Sequence, residues 1–319
     1  MYTIKDIAKA CGVSTATVSR AYDKNAVIKE KTREFILKTA GEMGYSPNIV
    51  ARGLKTAKSQ MVGIIIPSIE NTFYLDLLKY IETELYRHNY RLMVIFLQNG
   101  VVEERDALET MVYSKVEALI ILPETRINSD YIRKISERLK IIQLFAAPYE
   151  EYGSIVMNDK LGIEIAVEYL FSKGHTRILY IGGSRDKRIE GLYNIYNKHG
   201  IAIDYNMISL DWVTDINLII EMMKNTKPTA VLAIANQAAV AWKALKKMEI
   251  NIPEDISFIA YDDVNWVQIC DVTAIAHPLN YIAESLVENL IELIKSDSKN
   301  KIIIKPFITE RNTVKFNHK

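Results

Sequence analysis

Residues 1–22, MYTIKDIAKACGVSTATVSRAY, carry two short helical patterns on either side of a tight turn. Thr3 stands where it can cap the first helix, with Asp6 three residues on as its capping-box partner. Ile4, Ile7, Ala8 and Cys11 recur at i, i+3, i+4 and i+7, which gives one inward apolar stripe. Gly12 supplies the left-handed residue of a helix stop. Ser14 caps a second helix, Thr15 to Tyr22, whose Val18, Ala21 and Tyr22 turn back onto the first. The other face offers Thr15, Ala16, Thr17, Ser19 and Arg20. Short polar groups with one long cation suit entry into a DNA major groove, and the layout is that of a helix-turn-helix. A helical hairpin with a merely solvated face has the same periodicity, so the flanking residues must decide.

A third helical pattern runs from about Lys29 to Met43, with Ile28, Thr32, Phe35, Ile36, Thr39 and Met43 on its inner side and Gly44 as stop. Three helices in so short a span make a small core of their own. Charge is partitioned to match. Residues 1–58 hold 11 Lys and Arg against 5 Asp and Glu, while the rest of the chain holds 29 against 34. A basic head on a mildly acidic body places only the head against phosphate. Tyr45 to Ser59, YSPNIVARGLKTAKS, then opens a helix at Ser46–Pro47 that is short, contains Gly53 and has little apolar surface. Such a helix forms only with a partner, unlike a plain Gly/Ser or proline-rich linker.

The run from Thr3 to Leu54 resembles the lactose/galactose repressor (LacI/GalR) family of bacterial transcription regulators. T-I-K-D-I-A (3–8), G-V-S-T-A-T-V-S-R (12–20), G-Y-S-P-N (44–48) and A-R-G-L (51–54) carry the resemblance. It implies a helix-turn-helix domain over 1–45 and a hinge helix over 46–59 that folds when a dimer sits on its operator. Leu54 then matches a leucine wedged into a central base step from the minor groove, with Lys55 beside it. Thr15, Ala16 and Arg20 match base-reading positions, and Arg20 is the one suited to bidentate contact with guanine. Thr17, Ser19 and Asn25 match phosphate contacts, and Thr3, Ser14, Asn48 and Arg52 complete the expected DNA-contacting set.

The remaining residues, 60–319, alternate apolar strands with amphipathic helices. Strand patterns cover Met61–Pro67, Arg91–Leu97, Val116–Leu122, Lys140–Phe145, Arg177–Ile181, Ala230–Ala235 and Ile256–Tyr261. Helical patterns include Tyr74–Arg87, Glu103–Val112, Leu161–Ser172 and Ala238–Met248. The fold class is α/β, with two parallel-sheet layers in tandem and a ligand cleft beyond the strands' carboxyl ends. The resemblance extends here to a periplasmic-binding-protein-like effector core. It implies two Rossmann-like subdomains, about 60–153 and 154–276, with the chain returning through both over 277–319.

Pocket residues follow from the same resemblance. Phe73 and Tyr74 follow the first strand, where the family sets an aromatic against the effector; both could instead be core residues opening a helix. Arg188 and Gly191 match an R-x-x-G after Gly182–Gly183, an arginine that bonds a ligand hydroxyl or carboxylate. Asp262 in I-A-Y-D-D matches a carboxylate that accepts sugar hydroxyls. Asn236 matches half of the family's Asn-Asp pair, here Asn236–Gln237. Trp212 and Trp266 stand where rings could stack on a sugar face or simply pack.

Enzyme chemistry has little to rest on. No G-x-G-x-x-G, phosphate-binding G-x-x-x-x-G-K-[ST] or G-x-S-x-G occurs. His88, His175, His199, His277 and His318 are scattered without metal-ligand spacing, so solvated or structural roles are expected of them. Cys11 and Cys270 are lone thiols, which fits a reducing compartment. No secretory signal and no membrane-length apolar run is visible, so a cytoplasmic protein without membrane contact is expected. No leucine heptad tail follows the strand-like Ile302–Ile308, so a homodimer is expected. The expected function is a sequence-specific regulator, a repressor of a carbohydrate-utilisation operon. It would bind pseudo-palindromic double-stranded operator DNA and respond to a sugar or sugar phosphate, with no cofactor. The alternatives are control by a protein partner such as a phosphorylated carrier protein and, more remotely, a DNA-tethered sugar-modifying enzyme.

Overall fold

The computed structural model describes residues 2–22, 26–45, 59–97, 103–123, 126–183, 188–210, 213 and 215–317. The chain divides into two compact units, Met1–Gln60 and Met61–Lys319.

The first unit holds α1 (Ile4–Cys11), α2 (Thr15–Ala21) and α3 (Glu30–Glu42). The backbone N–H and the hydroxyl of Thr3 both donate to the Asp6 carboxylate, at 2.8 and 2.7 Å. Those two bonds hold the Asp6 carboxyl below its ordinary value. Gly12 ends α1 at φ 65°, and Ser14 Oγ accepts from Thr17 N–H at 3.1 Å to start α2. Ile7, Ala8, Val18, Ala21, Ile36 and Ala40 form the buried core. Phe35 departs from the expected inner face: its ring is 53% exposed. Ile36 and Ala40, one turn apart, take the buried stripe instead, and Phe35 lies one position round the helix from it. Arg33 donates to Ala21 O at 2.8 Å and Ala26 O at 2.9 Å, which ties the end of α2 to α3.

The second unit contains two six-stranded sheets. The first has strand order β11-β5-β4-β3-β1-β2. Its strands are β1 (Met61–Ile66), β2 (Arg91–Phe96), β3 (Ala118–Ile121), β4 (Lys140–Phe145), β5 (Gly153–Met157) and β11 (Lys301–Ile304), all paired in parallel. Helices α4 (Thr72–Arg87), α5 (Glu104–Tyr113), α6 (Ser129–Ser136) and α12 (Leu279–Ser296) cover its faces. The second sheet has order β12-β10-β9-β8-β6-β7. Here β6 (Ile178–Ile181), β7 (Ile208–Ser209), β8 (Ala230–Ile234), β9 (Ser257–Tyr261) and β10 (Thr273–Ala276) are parallel, and β12 (Phe307–Thr309) pairs antiparallel to β10. Helices α7 (Asp159–Ser172), α8 (Ile189–Lys198), α9 (Ile216–Thr226), α10 (Asn236–Lys247) and α11 (Asn265–Ile269) surround it. Strands such as β1, MVGIII, are buried on both faces, which is why they read as continuous apolar runs rather than alternations.

The chain passes between the sheets three times. The first passage falls at Asn158, four residues beyond the expected boundary at 153/154, because Gly153–Met157 pairs with β4 and β11 in the first sheet. Asn158 marks the change by capping α7, its Oδ1 accepting from Leu161 N–H at 3.1 Å. The second passage is His277–Pro278, between β10 and α12. The third splits the expected strand Ile302–Ile308 into β11 and β12, which lie in different sheets. Pro306 stands between them and cannot donate to either ladder. Among the described residues no helix is long and apolar enough to cross a membrane, and no group of His, Cys, Asp and Glu could hold a metal ion.

Candidate functional site

Two surfaces carry the candidate residues, one in each unit. On α2, Ala16 and Arg20 are exposed, while Thr15, Thr17 and Ser19 are half-buried. Ser14 Oγ lies 2.9 Å from Thr17 Oγ1, so these two hydroxyls hold the start of the helix and leave Arg20 as the long free-standing donor on that face. Thr3 is likewise occupied in the turn before α1. Asn25, Asn48, Arg52, Leu54 and Lys55 lie outside the described residues, as does most of the expected hinge.

In the second unit the carboxyl ends of strands from both sheets meet. Asn71 caps α4 through Phe73 N–H, at 3.1 Å, and so presents Phe73 and Tyr74 on the first turn after β1. Phe145 ends β4. The rings of Phe73 and Phe145 are 5.5 Å apart, and Tyr74 stacks on Phe145 at 6.0 Å. Tyr74 and Phe145 pack against the apolar clusters of both sheets, so this aromatic group is a wedge between them. From the second sheet, Tyr261 and Asp262 close β9, and His277 follows β10. The His277 ring meets Phe73 at 5.7 Å and Tyr261 at 5.5 Å. The Arg188 guanidinium lies 5.2 Å from the centre of the Tyr261 ring. Tyr261 also donates to Asp159 Oδ1 at 2.9 Å, next to the first passage.

Two members of this group hold a non-glycine backbone in the left-handed region, Phe145 at φ 68° and Asp262 at φ 81°. Each costs on the order of 1–3 kcal/mol, and strain of this kind concentrates where a binding site needs a side chain aimed against the backbone's preference. The two aspartates of I-A-Y-D-D are put to different uses. Asp263 binds Arg311 at 2.7 Å and anchors the chain end, whereas Asp262 Oδ1 stands 3.6 Å from His277 Nε2.

Burial sets the protonation states here. Burial first, and the Arg188 charge second, push the His277 imidazole down to about 4. Burial, then the Asp159 carboxylate, raises the Tyr261 phenol well above its ordinary value. Near neutral pH the group therefore sets a neutral imidazole and a neutral phenol beside the acidic side chains of Asp159 and Asp262, the Arg188 guanidinium and an aromatic wall. The polar groups of such a set have the chemistry to hydrogen-bond hydroxyls or N–H groups. The closest serine–histidine pair among the described hydrogen bonds, Ser257 Oγ to His175 Nε2 at 2.9 Å, is buried and tied to the Lys315 backbone, so it holds the chain end.

Among the expected pocket residues, the structure brings Phe73, Tyr74, Arg188 and Asp262 into this one group. Asn236 is exposed at the start of α10. Trp266 has its ring contact with Trp242, at 6.1 Å, and packs on the second sheet's apolar cluster. Trp212 lies outside the described residues. Phe145, Asp159, Tyr261, Gln237 and His277 were not singled out for a site by sequence. Gln237 is 2% exposed, and its Oε1 has no hydrogen-bond partner among the described residues. The legible signal for His277 was its place, a polar residue closing the apolar strand T-A-I-A, where parallel sheets aim side chains at a cleft.

Residues 3–48 match the bacterial regulatory proteins of the lacI family, and residues 59–315 match the periplasmic binding proteins and sugar binding domain of the LacI family. The chain is 30% identical to the HTH-type transcriptional repressor PurR of Vibrio atlanticus, over 99% of each chain. It is 28% identical to the ribose operon repressor of Escherichia coli, over 98% of this chain and all of that one. Among solved structures, the Lac repressor dimer bound to operator and the anti-inducer ONPF superposes with a TM-score of 0.84. That match covers 98% of this chain and 99% of the other at 22% identity, and it speaks for the fold.

Proposed function

Because the chain belongs to the LacI family of bacterial regulatory proteins and is a DNA-binding transcriptional regulator, we propose that a neutral, hydroxyl-bearing small molecule, a sugar, governs its hold on the operator. The observation that carries this reading is the convergence of Phe73 and Phe145 from the first sheet with Tyr261, Asp262 and His277 from the second. A molecule bound among them touches both sheets at once, so its affinity depends on how the sheets are set. Binding then shifts the population between two settings, by as much as its affinities for them differ.

In this reading Arg20, Thr15 and Ala16 choose the site, and Thr17, Ser19 and Asn25 hold phosphates. Residues 46–59, with Asn48, Arg52, Leu54 and Lys55, carry the effector's influence to the DNA. The protein acts as a cytoplasmic homodimer on a two-fold operator and performs no catalysis. The named function of the ribose operon repressor supports a carbohydrate operon as the target.

Operator DNA selected from random duplexes by the purified protein provides the test. Its affinity is then measured at fixed salt with D-ribose, cellobiose and sugar phosphates, beside a scrambled duplex. The expected result is a change in operator affinity with at least one sugar and none on the scrambled duplex. Operator affinity that no sugar moves removes the effector reading.

A further inference from the structure

Gln237 is a buried polar side chain of the second sheet that neither the packing nor the cleft group described above accounts for. The buried residues of α10 are Gln237, Ala238, Ala241, Ala244 and Leu245. The amide thus takes the first inward position of a helix that otherwise turns only alanine and leucine to the sheet. It is 2% exposed, and Oε1 has no hydrogen-bond partner among the described residues. An unpartnered amide oxygen in such a place costs stability that a leucine of similar size would not. Of the two ends of the amide only the oxygen is enclosed in this way, which leaves Nε2 as the end a ligand can meet.

The topology puts this amide at the rim of the cleft. Strand β8 lies between β6 and β9, and its last rung pairs Ile234 with Tyr261. Ala235 and Asp262 come next on the two strands, so α10 begins beside the strand end that carries Asp262. A helix that follows a parallel strand starts at that strand's carboxyl end, where open α/β sheets bind ligands. Ala233, Ala238 and Ala260 belong to the same apolar cluster as Phe73, so small side chains surround the amide's end of the helix. The helix start itself lacks a cap. Ala235, at φ 47°, has no side-chain oxygen to offer, and the N–H groups of Asn236 and Gln237 have no acceptor among the described residues. These N–H groups and Nε2 are donors on one turn, at the positive end of a helix of 12 residues, and they favour an acceptor oxygen.

We propose that the start of α10 is a further subsite of the effector cleft, in which Gln237 Nε2 and the first-turn N–H groups donate to one oxygen of the sugar. This rests on the cleft being the effector site. A neutral amide suits a hydroxyl or ring oxygen, which needs a donor but brings no charge to be balanced. With the Asp262 carboxylate on the neighbouring strand end, the rim sets donors beside an acceptor. Adjacent hydroxyls of one sugar match that pair, one receiving a hydrogen bond at α10 and the other giving one at β9.

Calorimetric titration of the full-length protein with D-ribose tests the subsite, beside Gln237→Leu, which keeps the bulk and gives up the donor. The variant is expected to bind ribose about tenfold more weakly. Urea unfolding without any sugar should show it at least as stable as wild type, because an enclosed unpartnered oxygen is gone. A midpoint well below wild type makes the amide a structural group and overturns the proposal. Singly deoxygenated analogues of ribose identify the oxygen concerned. One of them should bind wild type more weakly than ribose does and lose nothing further in Gln237→Leu. Ribose bound alike by both proteins overturns the subsite and leaves the sugar reading of the cleft standing. A preference of wild type for ribose 5-phosphate that Gln237→Leu abolishes keeps the subsite and overturns the neutral-sugar reading. If wild type binds neither compound, the sugar reading fails and the subsite fails with it.

Discussion

The rings of Phe73 and His277 meet edge to face, their centroids 5.7 Å apart and their planes at 74°. One ring stands on the helix that follows the first strand of the first sheet, and the other on the segment by which the chain leaves the second. Contacts of this geometry contribute on the order of 0.5–1.5 kcal/mol beyond their buried area. The contact bridges the two sheets at a chain passage, so a rotation of one sheet against the other must break or slide it. With Tyr74 and Phe145, which pack on the apolar clusters of both sheets, this pair ties the setting of one sheet to that of the other.

The buried imidazole makes stability depend on pH with a definite sign. The His277 value in the folded protein, about 4, lies below the ordinary 6.5, so the unfolded chain takes up the proton first. Its contribution is complete above pH 6.5 and is lost as pH falls toward 4, by roughly 3 kcal/mol in all. Urea unfolding followed by tryptophan fluorescence reports the second unit alone, since the chain's 3 tryptophans, 212, 242 and 266, all lie there. His277→Gln should lose less stability than wild type between pH 7 and 4. Parallel losses in the two proteins would mean that the ring is not held neutral by burial.

Gly191 sets the distance between α7 and α8. A Cβ at this position would collide with the Lys160 carbonyl oxygen and lie 3.0 Å from Ile163 Cβ. Gly191→Ala should therefore cost about 1–3 kcal/mol in the same fluorescence assay, because backbone rather than a flexible side chain must give way. Arg188 sits at the start of α8, one turn before Gly191, so the variant should also weaken D-ribose binding if that sugar occupies the cleft. Wild-type stability in Gly191→Ala would show that the two helices can separate without cost.

Much of this architecture was legible because both sheets bury both faces. Continuous runs such as 61–66 and 230–234 can hardly be anything but interior strands. Gly153–Met157 escaped notice because it is short and partly polar, and pairing with β4 and β11 rather than its own pattern makes it a strand. Its omission shifted the first passage. The cleft was legible only through motif, at Arg188 and Asp262. Asp159, Tyr261 and His277 come from segments 118 residues apart at the extremes, and no local pattern announces that a topology crossing three times will bring them together. In the head, periodicity placed the helices, but Phe35 shows its limit. A helix of 13 residues with a narrow buried stripe leaves a large ring outside when two smaller neighbours fill the space.

The head's stability should depend on one cap. Ser14 Oγ accepts from Thr17 N–H at 3.1 Å and lies 2.9 Å from Thr17 Oγ1, so the start of α2 is organised around this one hydroxyl. Ser14→Ala should cost about 1 kcal/mol, and Ser14→Asn should restore most of it. Hydrogen exchange at the α2 and α3 amides should quicken about fivefold in the alanine variant. Tryptophan-detected unfolding of the second unit should not change, since the two units are separately compact. A coupled loss in both would contradict that independence.

Arg20 offers the sharpest separation of sequence reading from general attraction. It is the exposed cation of α2, flanked by the small side chains of Ala16 and Ser19, so nothing on its own helix obstructs approach to a base edge. A bidentate contact to guanine contributes about 1–3 kcal/mol of discrimination, whereas a phosphate contact contributes equally on any sequence and steepens the salt dependence by about one unit. Arg20→Ala should thus lose about ten- to a hundredfold in affinity on the selected operator. The loss should fall largely at one base pair in each half-site, with scrambled DNA bound nearly as before. Arg20→Lys should likewise leave scrambled DNA bound nearly as before and restore little of the base preference, because an ammonium lacks the planar fork. Equal losses on operator and scrambled DNA, with a salt slope reduced by about one, would make Arg20 a phosphate contact and move the reading to Thr15 and Ala16.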